Sequence, residues 1–167
     1  MTLVRSFRLA LPVLVLAALA ACGGSGGGQA VETTAREYAF QGLPATLNSG
    51  DTTFNIDNQG SEVHELHVFK LDEDVAAVSE LLDKSQDEAQ DKLTSVGMAM
   101  ANPGDEESFD AELTAGRYAA ICLIPVGTRP EEGGHAGHDM EDMEDIVFDP
   151  NADTHMRRGM YGEFTVG

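Results

Sequence analysis

Short alternating runs of apolar and polar residues, separated by turn-forming residues, fill most of the chain after residue 30. Residues 31–40 are rich in β-formers, and Gly42-Leu43-Pro44 then breaks the run. In Thr52-Thr53-Phe54-Asn55-Ile56 the two large apolar residues share one face of a strand. Asn58-Gln59-Gly60-Ser61 reads as a turn and residues 63–71 as another strand. There His64, Leu66 and Val68 fall on one side, and Glu65, His67 and Phe69 on the other. The period then changes. Acids at Asp72-Glu73-Asp74 precede Val75, Val78, Leu81, Leu82, Ala89 and Leu93 at helical spacing, which predicts one amphipathic helix over about residues 74–93. Strands resume over residues 96–100, 108–113, 117–125 and 161–166. Residues 126–154 form a long acidic loop. Many short strands with turns between them predict an all-β sandwich or barrel with a single inserted helix.

The first segment sets the compartment. Arg5 and Arg8 precede an apolar stretch over residues 9–19, the layout of a secretory signal and too short for a permanent membrane span. It ends in Leu19-Ala20-Ala21-Cys22, the small-residue box that precedes a lipidated cysteine in bacterial lipoproteins, and Gly23-Gly24-Ser25-Gly26-Gly27-Gly28 follows as a flexible tether. The expected division is a signal peptide over 1–21, a lipid-anchored Cys22 with its tether over 22–30, and one folded domain over 31–167. Without the signal 146 residues remain, enough for one domain with a real core.

Charge narrows the partners. The mature chain carries 8 basic and 29 acidic residues, a formal charge of −21. Such a surface repels nucleic acid and anionic lipid headgroups, and it suits a protein partner with a basic docking surface, a cationic ligand, a salty medium or solubility alone. Cysteine usage narrows the chemistry. With Cys22 lipidated, Cys122 has no intramolecular partner, and a lone thiol in an oxidising compartment is a liability unless something uses it.

Three separated segments carry soft or borderline metal ligands: one ending in His64, one ending Ile121-Cys122-Leu123-Ile124-Pro125, and one running from His155 through Gly159-Met160. Singly each is weak, since a strand histidine, a core cysteine and a packed methionine are all common. Jointly, two imidazoles, a thiolate and a thioether make the ligand set of a type 1 copper site, in which soft sulfur favours copper(I) and imidazole accepts copper(II).

The chain from about residue 31 to 166 resembles the cupredoxins, the plastocyanin and azurin type of blue copper protein. Asn58-x-Gly60-x-x-x-His64 matches the turn and strand that bring the family's first histidine. Gly116-x-Tyr118-x-x-x-Cys122-x-x-Pro125 matches the strand leading to the copper cysteine. His155-x-x-x-Gly159-Met160-x-Gly162, with Phe164-Thr165-Val166, matches the second histidine, the methionine and the final strand. The resemblance is nearest to a bacterial branch of lipoprotein cupredoxin-like domains. It implies a Greek-key β-sandwich holding one copper through His64, Cys122, His155 and Met160, and an electron carrier that is not an enzyme. The expected partners are the membrane, through the lipid on Cys22, and a membrane redox protein.

The sequence departs from the family at one place. Between Cys122 and His155 lie 32 residues, where electron-transfer cupredoxins have only a few. His135 and His138 compete for the place of His155, which is preferred for its spacing to Gly159-Met160. The same stretch places His135, His138, Met140 and Met143 among acids, a candidate second metal site or simply a solvated loop. Two other functions stay open on these grounds: extracytoplasmic copper sequestration or delivery, and a metal-free interaction module.

Overall fold

Alternation translates directly into two faces per strand in the computed structural model, which describes residues 28–130 and 153–167. In β1 (Gln29–Arg36) Val31, Thr33 and Ala35 point inward, and in β4 (Gly50–Asn58) Thr52, Phe54, Ile56 and Asn58 do so. β1 runs parallel to β4, with β2 (Ala39–Gln41) on its free edge and β7 (Glu106–Leu113) antiparallel beyond β4. This first sheet has the order β2-β1-β4-β7. The second is β3-β9-β8-β5-β6, built from β3 (Thr46–Leu47), β9 (Tyr161–Val166), β8 (Gly116–Ile121), β5 (His64–Leu71) and β6 (Leu93–Ala101).

Between the sheets Phe54 stacks on Phe109, and Tyr118 on Phe164, at centroid distances of 5.2 and 5.5 Å. Leu66, Val68, Leu113, Ala120 and Cys122 complete this core. Each large apolar side chain buried there stabilises the fold by about 1.5–3 kcal/mol.

β5 is buried on both faces, which alternation alone does not explain. Its outer side lies beneath a second, smaller core of Phe69, Leu71, Val75, Val78, Leu81, Ala89, Ala119, Ile121, Leu123 and Met156. The insert between β5 and β6 supplies the cover. It is helical as expected, but the continuous helix over 74–93 is corrected to two short pieces, a 3₁₀ segment Val78–Asp83 and α1 (Gln86–Gln90). Lys84 is extended between them, and Ser85 restarts the chain with a capping box to Glu88, whose carboxylate accepts the Ser85 N–H at 3.1 Å. That local cap satisfies the backbone donors a through-going helix would have used. Leu93, placed on the helix by spacing, instead opens β6, which is longer than the five-residue strand expected.

The strand predicted over residues 31–40 is also divided. Tyr38 has φ 61°, and the chain turns there from β1 into β2. Residues 1–27, with Cys22 and the signal, lie outside the described residues. So do residues 131–152, with His135, His138, Met140 and Met143. No helix among the described residues is long and apolar enough to cross a membrane.

Candidate metal centre

β5 and β8 are hydrogen-bonded neighbours, with His67 opposite Ile121. The start of β5 and the residue after β8 therefore meet at one pole of the sandwich. There His64 Nδ1 or Nε2, Cys122 Sγ and a ring nitrogen of His155 lie within 4.8 Å of one another, and all three residues are fully buried.

Each residue is held by its own backbone context. Asn58, buried at the end of β4, donates to the carbonyls of Glu62 at 2.9 Å and Ala101 at 2.8 Å, and its side-chain oxygen accepts from Gly60 N–H at 2.9 Å. These bonds shape the turn that delivers His64. A Cβ on Gly60 would lie 2.6 Å from His64 Nε2 and 2.7 Å from Glu37 Oε1, so only glycine fits beside that imidazole. Cys122 bonds on both sides of its backbone to the last ligand segment: its N–H donates to Met160 O at 3.1 Å, and its carbonyl accepts from Met156 N–H at 2.9 Å.

The 32-residue separation is resolved by a pinch. Pro125 and Thr154 form an antiparallel bridge, Val126 N–H donates to Asp153 O at 2.9 Å, and His155 N–H donates to Ile124 O at 2.9 Å. Residues 124–126 and 153–155 thus run side by side, which brings His155 back beside Cys122. Gly159, with φ 105°, turns the chain toward Met160, whose N–H donates to His155 O at 2.9 Å. Met160 is fully buried in the same core as Cys122.

Both imidazoles present Nδ1 inward. The two Nδ1 atoms are 3.1 Å apart, and Cys122 Sγ is 3.3 Å from His155 Nδ1. Donors roughly 2.0–2.3 Å from a shared ion sit about 3–4 Å apart, so the cluster has the span of a coordination shell. The Nδ1–Nδ1 contact is a hydrogen bond when one ring carries its hydrogen on Nδ1, and an ion bound between the rings would take the place of that hydrogen. The donor set, two imidazoles and a cysteine sulfur, fits one type 1 copper ion better than a hard, oxygen-seeking ion.

Carboxylates stand behind the imidazoles. His155 Nε2 is 3.0 Å from Glu62 Oε2, whereas His64 Nε2 is 3.8 Å from Glu37 Oε1 and has no hydrogen-bond partner. The Ser61 backbone N–H lowers the Glu37 pKa to about 2, and the Gly127 N–H lowers that of Glu62, so both are anions at neutral pH. Burial, aided by the nearby His155 ring, lowers His64 to about 4. Burial, with the charge of Glu65, pushes the Cys122 thiol well above its ordinary range. An empty site thus holds a neutral His64 and a protonated sulfur, and an incoming ion displaces the thiol proton.

His67 lies on the other face of β5, as the alternation places it. Its ring bonds Glu65 Oε1 at 2.9 Å and Ser95 Oγ at 2.8 Å, away from the cluster. Sequence reasoning missed Glu37, Glu62 and the buried Glu65, whose backbone N–H donates to Cys122 Sγ at 3.4 Å. Nothing in a chain with 29 acids marks these three.

The chain matches no family model and no curated protein. Among solved structures it is similar to auracyanin from the photosynthetic bacterium Roseiflexus castenholzii, with 18% identity and TM-score 0.52 over 85% of this chain and 99% of that one. The fold is that of the cupredoxins. At this identity the likeness shows the shared fold and nothing finer. Two further auracyanins give lower scores. Auracyanin B has 19% identity and TM-score 0.48 over 86% of this chain and 92% of that one. Auracyanin A, a "blue" copper protein of Chloroflexus aurantiacus, has 18% identity and TM-score 0.46 over 84% and 100%. Within the cupredoxin fold, this chain's own residues His64, Cys122 and His155 converge on one point.

Proposed function

We propose that this chain is an exported, lipid-anchored type 1 copper protein that carries single electrons to or from a membrane redox partner. The observation that carries the reading is the buried cluster of His64, Cys122 and His155, with ligand atoms within 4.8 Å, at one pole of a cupredoxin sandwich. His64 and His155 would hold copper through Nδ1 and Cys122 through its thiolate, and Met160 would add a weaker thioether sulfur. Copper held there supplies one-electron chemistry by alternating between its divalent and monovalent states. The protein's part is to keep four side chains in one arrangement suited to both states, so that little rearrangement accompanies transfer.

Burial excludes water from the ligands, and the Glu65 N–H on Cys122 Sγ stabilises negative charge on the sulfur. The anchor at Cys22 restricts diffusion to the membrane plane and raises encounter with membrane enzymes. The exposed face of the first sheet presents Glu32, Asp51, Glu106, Asp110 and Glu112, which supports a basic docking partner.

The test is spectroscopic. Mature protein loaded with copper(II) is expected to show the intense visible thiolate-to-copper band, and Cys122→Ser is expected to abolish it. A colourless wild-type complex would defeat the reading.

A further inference from the structure

Glu62 touches all three ligand-bearing segments. It precedes His64 by two residues, and its carbonyl is fixed by Asn58 Nδ2 at 2.9 Å. Its Oε2 accepts from Gly127 N–H at 2.5 Å, in the turn just past Cys122, and lies 3.0 Å from His155 Nε2. An ionised carboxylate only accepts hydrogen bonds, so the contact places the imidazole hydrogen on Nε2. That leaves Nδ1 with its lone pair, and Nδ1 is the nitrogen 3.3 Å from Cys122 Sγ. Tyr38 closes the remaining side, its ring edge-on to His155 at 5.3 Å. The imidazole is thereby sealed from solvent, with zero exposure, and its outer nitrogen meets an anion in place of water.

His64 lacks this arrangement. Its outer nitrogen is 3.8 Å from the Glu37 carboxylate, beyond hydrogen-bond distance. The two histidines therefore stand in different surroundings, and only one is bonded to a charge.

Resting on the copper reading, we propose that Glu62 is the positioning residue of this centre: it fixes the His155 tautomer that directs Nδ1 at the metal, and its fixed negative charge behind the ligand favours the divalent over the monovalent ion. A carboxylate on the outer nitrogen also makes the imidazole a stronger donor, in the same direction. The centre is thus biased toward a low reduction potential by a residue that never touches the metal.

Two variants of the full mature chain separate charge from geometry. Glu62→Gln keeps an oxygen acceptor for Nε2–H and removes the charge. Glu62→Ala removes both. In metal-free protein, imidazole 15N shifts are expected to show the Nε2–H form of His155 in wild type and Glu62→Gln, and a mixture of tautomers in Glu62→Ala. In copper-loaded protein, Glu62→Gln is expected to lower the ratio of Cu(II) to Cu(I) affinity about tenfold, a rise of about 59 mV in potential. A Glu62→Ala protein that is still wholly Nε2–H overturns the proposal, as does a Glu62→Gln potential equal to wild type. If wild-type protein gives no thiolate–copper band, the copper reading fails by itself, and the metal-free tautomer arm still decides whether Glu62 positions His155.

Discussion

Half of the metal pole is borne by strands and half by a loop, and the two halves reach the same order by different means. His64 opens β5, which is laddered on both sides by β6 and β8, and Cys122 follows β8 directly. Their positions come with the sheet. His155 and Met160 sit between a long excursion and β9, with no ladder of their own. They borrow one. The backbone groups of Cys122 and Ile124 bond Met160, Met156 and His155 at 2.9–3.1 Å, and Val126 bonds Asp153. A loop-borne ligand is as well placed as a strand-borne one when its backbone pairs with the segment carrying another ligand.

The loop half has one further anchor, and removing it should have the largest effect. Met156 is 1% exposed and packs into the outer core under the insert. Met156→Ala is expected to cost about 2–5 kcal/mol by denaturant melting. Because Met156 adjoins His155, copper affinity should fall as well. Leu113→Ala, at the opposite pole, should cost a similar amount and leave affinity alone. Equal affinity losses in both variants would mean that the loop half has no separate anchorage.

The strand half differs in its electrostatics. His64 is held neutral, its pKa lowered from 6.5 to about 4 by burial and by the nearby His155. Between those values the unfolded chain binds a proton that the folded chain refuses. Stability of the metal-free protein is therefore full above pH 6.5 and is lost as the pH falls toward 4. The shift corresponds to roughly 3 kcal/mol from this one group. Urea midpoints at about pH 7 and about pH 4.5 should show the drop in wild type and a much flatter response in His64→Gln. Parallel curves for the two proteins would assign the acid sensitivity elsewhere.

The same division explains what could be read from sequence. Strand alternation puts His64 with Leu66 and Val68 on one face and His67 on the other, because a period of two leaves no other choice, and the first of these faces is the one that packs between the sheets. The sandwich followed from the same pattern. The insert departs from a single helix because its apolar spacing serves a small outer core, while Ser85 and Glu88 settle the local backbone. The pinch at Pro125 and Thr154 carries no side-chain signature, since it is made by backbone groups. Glu62 was invisible for a related reason. A carboxylate acquires its role from where the Gly127 turn and His155 arrive, and those are long-range consequences of the fold.

If the pinch fixes the loop half, what lies beyond it should matter least. Residues 131–152 can then be replaced by a few glycines and serines, keeping residues 127–130 and 153–154. Loop closure depends only weakly on length, so shortening should raise stability by about 1 kcal/mol or less. The thiolate-to-copper band should keep its position and intensity, because the backbone bonds of His155 among the described residues run to Ile124, Arg158 and Met160, outside the replaced stretch. The replacement also removes His135, His138, Met140 and Met143. Unchanged copper stoichiometry would assign all tight binding to the pole. A variant that melts like wild type but loses one copper per chain would instead place a second site in the excised stretch. One that loses the band itself would show that the excursion, and not the pinch, completes the centre.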